Sequence, residues 1–253
     1  MGKVNRRTFL GRLSIGAAAL AAPLRVAAQP APDARTRRIL AIAREEVERA
    51  GAALWRRDVA AIADFGVHSS APRFHIANLE AGTVRSLLVA HGSGSDPEHD
   101  GWLNDFSNLH DSWATSRGAY VSWEWYQGRF GTSMRLEGLE PSNDQAYPRA
   151  IVMHAADYAT PAHVARWGRL GRSNGCFAVG PEELQSALYQ LSGGRLLFAD
   201  RLGIGPDGAD VAMPPQAAVD FETAIAQRRA AMAEEDAEFG RDSAESVNAE
   251  VPR

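Results

Sequence analysis

Between residues 74 and 199 the chain is cut into short apolar runs, each closed by Gly, Pro, Ser or Asn, and that spacing leaves little room for helices of ordinary length. The runs at 74–79, 84–90, 119–127, 133–139, 150–155, 176–179 and 196–199 are rich in β-branched and aromatic residues, which suit strands. Runs so short and so close favour an antiparallel sandwich or barrel over repeated βαβ units. Helices are predicted at the flanks. Ile39, Ala43, Val47, Ala50 and Leu54 recur at three- and four-residue steps among charged residues, the pattern of an amphipathic helix. Gly180-Pro181-Glu182-Glu183 opens a second helix, with proline and acids in its first turn, and Gly193-Gly194 ends it. A third is expected over 216–239, followed by a polar tail from 240 to 253. The predicted class is mainly β with flanking helices (α+β). Its organisation is expected as a leader at 1–28, a linker and amphipathic helix at 29–66, a catalytic domain at 67–202, and a C-terminal helix and tail at 203–253.

The first 28 residues carry Lys3, Arg6, Arg7, Arg12 and Arg25 and no acid. Paired arginines ahead of Phe9-Leu10, a mildly apolar run and Val26-Ala27-Ala28 before Gln29 resemble a twin-arginine export signal. The expected location is therefore the periplasm or cell wall, with no transmembrane domain after cleavage. Without the leader, 22 basic residues face 31 acidic ones, a net charge of −9 that offers no footprint for a nucleic-acid backbone.

An exported chain meets an oxidising compartment, where cysteines usually pair. Cys176 is the only cysteine, so no intrachain disulfide can form and a reactive thiol becomes the question. It sits in Gly171-Arg172-Ser173-Asn174-Gly175-Cys176-Phe177, at the start of a predicted strand and directly after a glycine. Gly175 lets a substrate carbonyl approach the backbone, and the amides of Gly175 and Cys176 are candidates for stabilising an oxyanion. A thiol needs a base nearby, and His154, at the end of the predicted strand before the loop that returns to Cys176, is the candidate. The plain alternatives are a buried structural cysteine and a histidine satisfied by hydrogen bonds.

The order of a strand-end histidine, a loop and Gly-Arg-Ser-Asn-Gly-Cys resembles the catalytic motif of the YkuD-type L,D-transpeptidases, in the murein L,D-transpeptidase branch. Further blocks fall in the same order: Asn108 to Ser112, Ser116-Arg117-Gly118-Ala119-Tyr120, Tyr126 to Gly131, Leu136 to Glu140, Asn143, and Arg149 to His154. The resemblance runs from about 84 to 199. It implies a YkuD-like β-sandwich or barrel in which Cys176 attacks the carbonyl of the third residue of a peptidoglycan stem peptide and D-alanine leaves. His154 would accept the thiol proton, and Gly175, Ser173, Asn174 and Arg172 would position substrate or oxyanion. The amine of a second stem peptide would then take the acyl group, giving a 3-3 cross-link without any cofactor. Transfer to water instead would make the protein an L,D-carboxypeptidase or endopeptidase; a catalytically silent wall-binding module is the third reading.

The chain departs from the pattern in two places. Many family members have histidine where Asn174 stands, so an orienting group is missing, and an arginine shortly after the cysteine is replaced by Phe177-Ala178. Carboxylate recognition would then fall to Arg172 or Arg149. Elsewhere, His91 to Asp96 with His99-Asp100 invites a metal reading, but its spacing matches no standard site and a loop is expected. No lysine follows its glycines in the order of a phosphate-binding loop. The aromatics Trp102, Trp113, Tyr120, Trp123, Trp125 and Tyr126 are read mainly as core, with one buried face over 121–125; glycan stacking is the alternative.

Overall fold

The structure, a computed structural model, describes residues 31–129 and 131–249, leaving aside the side chains of 236–249. The expected leader lies outside the described residues. Eight strands form one sheet: β1 (Val59–Asp64), β2 (Phe74–Asn78), β3 (Thr83–Leu87), β4 (Gly118–Gly128), β5 (Gly131–Gly138), β6 (Val152–Ala155), β7 (Phe177–Val179) and β8 (Leu196–Asp200). Their order is β3-β2-β1-β8-β4-β5-β6-β7, and an antiparallel bridge from Ala90, just past β3, to Ala178 on β7 joins the two edges into a nearly closed barrel. Closure of this kind removes the exposed edges that make open sheets prone to aggregation. The mainly-β α+β expectation holds. Pairing is mixed rather than antiparallel throughout, because β1 runs parallel to β8 and β6 parallel to β7.

Helix α1 (Ala34–Ala50) starts where the Asp33 carboxylate accepts from the Thr36 amide at 2.7 Å and ends at Gly51, whose φ of 53° terminates the helical path. Its buried stripe of Ile39, Leu40, Ala43 and Val47 covers the outer face of the sheet at Ala60, Ile62 and Phe198. Val59, Ala61 and Ala63 point the other way, into the barrel core. With both faces covered, every residue of β1 is buried, so the strand has no polar alternation to betray it. That is why an Ala-rich segment ahead of residue 67 escaped the sequence reading, although it stands in the middle of the sheet. The Asp64 carboxylate ends β1 by accepting from the amides of Gly66, Leu202, Gly203 and Ile204 at 2.7–3.0 Å, tying β1 to the turn after β8.

Helix α2 (Pro161–Trp167) was not anticipated; seven residues without a buried side chain give no periodic signal. Helix α3 (Pro181–Leu191) fills the barrel core with Leu184, Leu188 and Leu191, each contributing about 1.5–3 kcal/mol by burial. Helix α4 runs Phe221–Ala249, ten residues past the predicted end and through most of the expected tail. Over 121–125 the single buried face is not found. A register shift between Ser122 and Trp125 leaves Val121 and Ser122 both buried and Glu124 and Trp125 exposed.

Candidate functional site

The two candidate catalytic side chains lie on the parallel pair β6 and β7, His154 within β6 and Cys176 immediately ahead of β7. Met153 stands opposite Phe177 and His154 opposite Ala178, so one step back Cys176 falls opposite Val152. Met153, Phe177 and Val179 belong to the barrel core, and side chains alternate along a strand, so His154 and Cys176 share the outer face. They are offset by two residues along adjacent strands, about 8 Å between Cα atoms from strand spacing and rise. The sequence placed them at one strand rim; they lie on one face, with His154 inside β6 rather than at its end. This part of the outer face is free of α1 and is roofed by the segment from Ala156 to Leu170, including α2, around Ala159 and Leu170.

Both groups are buried, Cys176 8% and His154 2% exposed. Burial pushes the Cys176 thiol up, and the Val152 amide and the nearby Arg149 charge pull against it. The sulfur also lies 3.7 Å from the Ala150 carbonyl oxygen, an acceptor that favours the protonated thiol. Burial holds His154 below the usual imidazole range, so the ring is neutral at neutral pH. Its Nδ1 is 2.8 Å from the Ala155 carbonyl oxygen, which can only accept, so Nδ1 carries the proton and Nε2 is the basic nitrogen.

Arg149 proves to be an internal strut. Its guanidinium donates to the carbonyls of Ser107 and Ala114 at 2.9 and 2.6 Å and to the hydroxyls of Ser116 and Ser112 at 2.7 and 3.2 Å. Among the described residues no carboxylate bonds it, and its charge acts on Tyr120, Cys176 and Asp111. Gly175 packs beneath the same loop with φ at 108°; a Cβ there would stand 2.7 Å from the Ala114 oxygen and 3.2 Å from Arg149 Nη2.

The other residues singled out from the sequence divide into two groups. Ser173 is buried, donates its hydroxyl to the Cys176 carbonyl at 2.6 Å and accepts from the Gly175 amide at 3.2 Å. That amide is therefore engaged in the turn, and an oxyanion would have to draw it from Ser173. Asn174 is exposed at the turn. Arg172 reaches away to the carbonyls of Asp96 and Pro97. The histidines and aspartates weighed as metal ligands are bonded within the protein: His91 to Asp96 at 3.1 Å and to Arg73 at 2.8 Å, His99 to the Leu170 carbonyl at 3.1 Å, and Asp100, which accepts from the Trp102 amide at 2.9 Å. Sequence reasoning missed Arg73 altogether, since an arginine just ahead of a strand ordinarily points to water.

Among solved structures the chain is similar to an L,D-transpeptidase from Mycobacterium smegmatis (16% identity, 56% of this chain and 58% of that one, TM-score 0.35). It is also similar to an L,D-transpeptidase from Mycobacterium tuberculosis H37Rv (14%, 56% and 57%, 0.34). A third is the helical cell shape determining protein Pgp2 (K307A mutant) from Campylobacter jejuni (14%, 66% and 55%, 0.36). The chain thus spans less than two thirds of the length of each. No curated protein matches. The family model described as the L,D-transpeptidase catalytic domain matches residues 36–199, about two thirds of the chain, and reaches back over α1, β1 and β2, beyond the block that the motifs alone had marked. By that match, which runs through both His154 and Cys176, the protein belongs to the L,D-transpeptidase catalytic domain family.

Proposed function

We propose that this protein is an exported peptidoglycan L,D-transpeptidase that uses Cys176 as nucleophile and His154 as base. The observation that carries the reading is the common face of β6 and the start of β7, where a neutral imidazole with its lone pair on Nε2 accompanies a thiol near the charge of Arg149. As substrate enters, Nε2 takes the thiol proton and the sulfur attacks the carbonyl of the third stem-peptide residue, usually meso-diaminopimelate. The carbon–nitrogen bond to D-alanine breaks, the departing amine receives the proton from His154, and an acyl thioester remains. The side-chain amine of a second stem peptide then attacks the thioester, loses a proton to His154 and releases the thiol, forming the 3-3 cross-link. Negative charge on the carbonyl oxygen is met by the Cys176 amide, and by that of Gly175 if it leaves Ser173. None of these steps calls on a metal or cofactor.

The test is product analysis of the purified mature protein with disaccharide-tetrapeptides. Release of D-alanine together with a cross-linked dimer supports the reading. Shortened monomers alone would transfer it to the hydrolytic L,D-carboxypeptidase or endopeptidase alternative, and unchanged substrate to the silent wall-binding one.

A further inference from the structure

Beneath the segment that carries Cys176 runs a chain of three buried polar side chains drawn from two connections, the one before β2 and the one after β3. Arg73, ahead of β2, donates through Nη2 to His91 Nδ1 at 2.8 Å, through Nη1 to the Val67 carbonyl at 2.8 Å and through Nε to the Val89 carbonyl at 3.2 Å. A guanidinium has only donors, so His91 Nδ1 accepts and the ring proton sits on Nε2. That proton is given to Asp96 Oδ2 at 3.1 Å. Asp96 completes its coordination by accepting from the amides of Asp100 and Gly101 at 2.9 and 3.1 Å. The three side chains are 0%, 1% and 0% exposed, so two opposite charges are held out of water with a neutral imidazole between them.

Both ends of the His91–Asp96 pair grip the nucleophile segment. The His91 carbonyl accepts from the Ser173 amide at 2.9 Å, and the Ser93 amide returns a bond to the Ser173 carbonyl at 2.7 Å. The Asp96 carbonyl accepts from the Arg172 guanidinium. Ser173 then passes the constraint on through its hydroxyl to the Cys176 carbonyl and the Gly175 amide. Hydrogen bonds joined through His91 and Ser173 thus lead from a buried arginine to the residue bearing the sulfur, and none of them is made to the sulfur itself.

We propose that Arg73, His91 and Asp96 are positioning residues, a buried strut that fixes the Ser173–Cys176 turn against β6 and so sets the line of attack of Cys176. The proposal rests on the reading of Cys176 as the nucleophile. It follows that damage to the strut lowers the rate of acylation and leaves the affinity for the acylating molecule nearly unchanged. The strut shapes geometry; it contacts no substrate.

The experiment follows acylation of the mature protein by imipenem, in which the sulfur–carbonyl bond forms, the lactam carbon–nitrogen bond breaks and the ring nitrogen takes the proton. Intact mass against time and imipenem concentration gives a maximal rate constant and a half-saturating concentration. Asp96→Asn keeps the volume but turns an amide donor toward groups that are themselves donors. Arg172→Ala cuts the second tie while leaving Arg73, His91 and Asp96 themselves in place. We expect Asp96→Asn to lower the maximal rate about 100-fold, the scale of a displacement of about 1 Å, and Arg172→Ala to lower it less, with half-saturation within about twofold for both. A cooperatively melting Asp96→Asn protein that acylates at the wild-type rate overturns the proposal. If that variant does not melt cooperatively, Arg172→Ala decides alone: an unchanged rate, or a change confined to half-saturation, overturns it. No adduct on the wild type would remove the nucleophile reading, and the strut's role with it.

Discussion

The Cys176 sulfur rests 3.7 Å from the Ala150 carbonyl oxygen, one residue along from Arg149, so the thiol is held protonated beside the charge that would stabilise its anion. Burial raises this thiol, and it lowers His154, which must be neutral to take the proton. Acylation should therefore rise with pH along a limb below about 6.5, the unperturbed imidazole value, and be fully developed at neutrality. Alkylation by iodoacetamide, which needs thiolate, should keep rising past the usual thiol value of about 8.5. Rate–pH profiles for the two reagents check this; a single shared limb near pH 5 would point to a preformed thiolate–imidazolium pair instead.

Arg149 holds the 107–116 loop through four hydrogen bonds and reaches the sulfur through its charge. Replacing it with Met removes both and should slow acylation by tenfold or more, roughly the weight of one fixed donor or charge at a reacting centre. Lys in its place retains the charge but not the planar fork, so Arg149→Lys should recover only part of the rate. Equal rates in Arg149→Met and the wild type would show that the charge plays no part.

Gly175 has φ at 108° and no room for a Cβ under the Ala114 carbonyl. Gly175→Ala should cost at least ~1–2 kcal/mol in stability through backbone strain and displace the adjacent Cys176. Urea unfolding and imipenem acylation should fall together. A variant of wild-type stability and rate would mean that the turn has another conformation.

How far the sequence could be read depended on which faces of each element meet water. β2, β5 and α3 showed themselves because their polar breaks, capping acids and glycines are local. β1 stayed hidden because both its faces are buried, and α2 because a seven-residue helix with no buried side chain has no stripe. The Cys176 and His154 candidates came from local motifs, whereas the Arg73–His91–Asp96 chain joins two separate connections, the one before β2 and the one after β3, and Arg73 meets His91 only once the sheet has formed. Arg149 and Arg172 were noticed as cations, but their partners are mostly backbone carbonyls, and carbonyls leave no mark in a sequence.

Two histidines make the fold sensitive to acid. Burial lowers His75 to about 3 and His91 to about 4, from an unfolded value near 6.5. Below pH 6.5 the unfolded chain therefore binds protons that the folded protein refuses, and stability falls as pH drops toward those values. For His91 the loss by pH 4 is on the order of 3 kcal/mol. Among the described residues His75 Nε2 has no hydrogen-bond partner, and Nδ1 bonds the Ser86 hydroxyl at 2.8 Å. His75→Leu should cost about 1 kcal/mol at pH 7 yet flatten the decline between pH 6.5 and 4. Denaturant unfolding of both proteins across that range checks the sign; a stability that rises on acidification would contradict it.

The central claim is that Cys176 accepts an acyl group. Intact-mass spectrometry of the mature protein and its Cys176→Ala variant after incubation with imipenem tests it most directly. A single adduct of the mass of imipenem on the wild type, missing from a variant with the same melting temperature, is the predicted result. An adduct present on both proteins, or on neither while the wild type is folded, would contradict it.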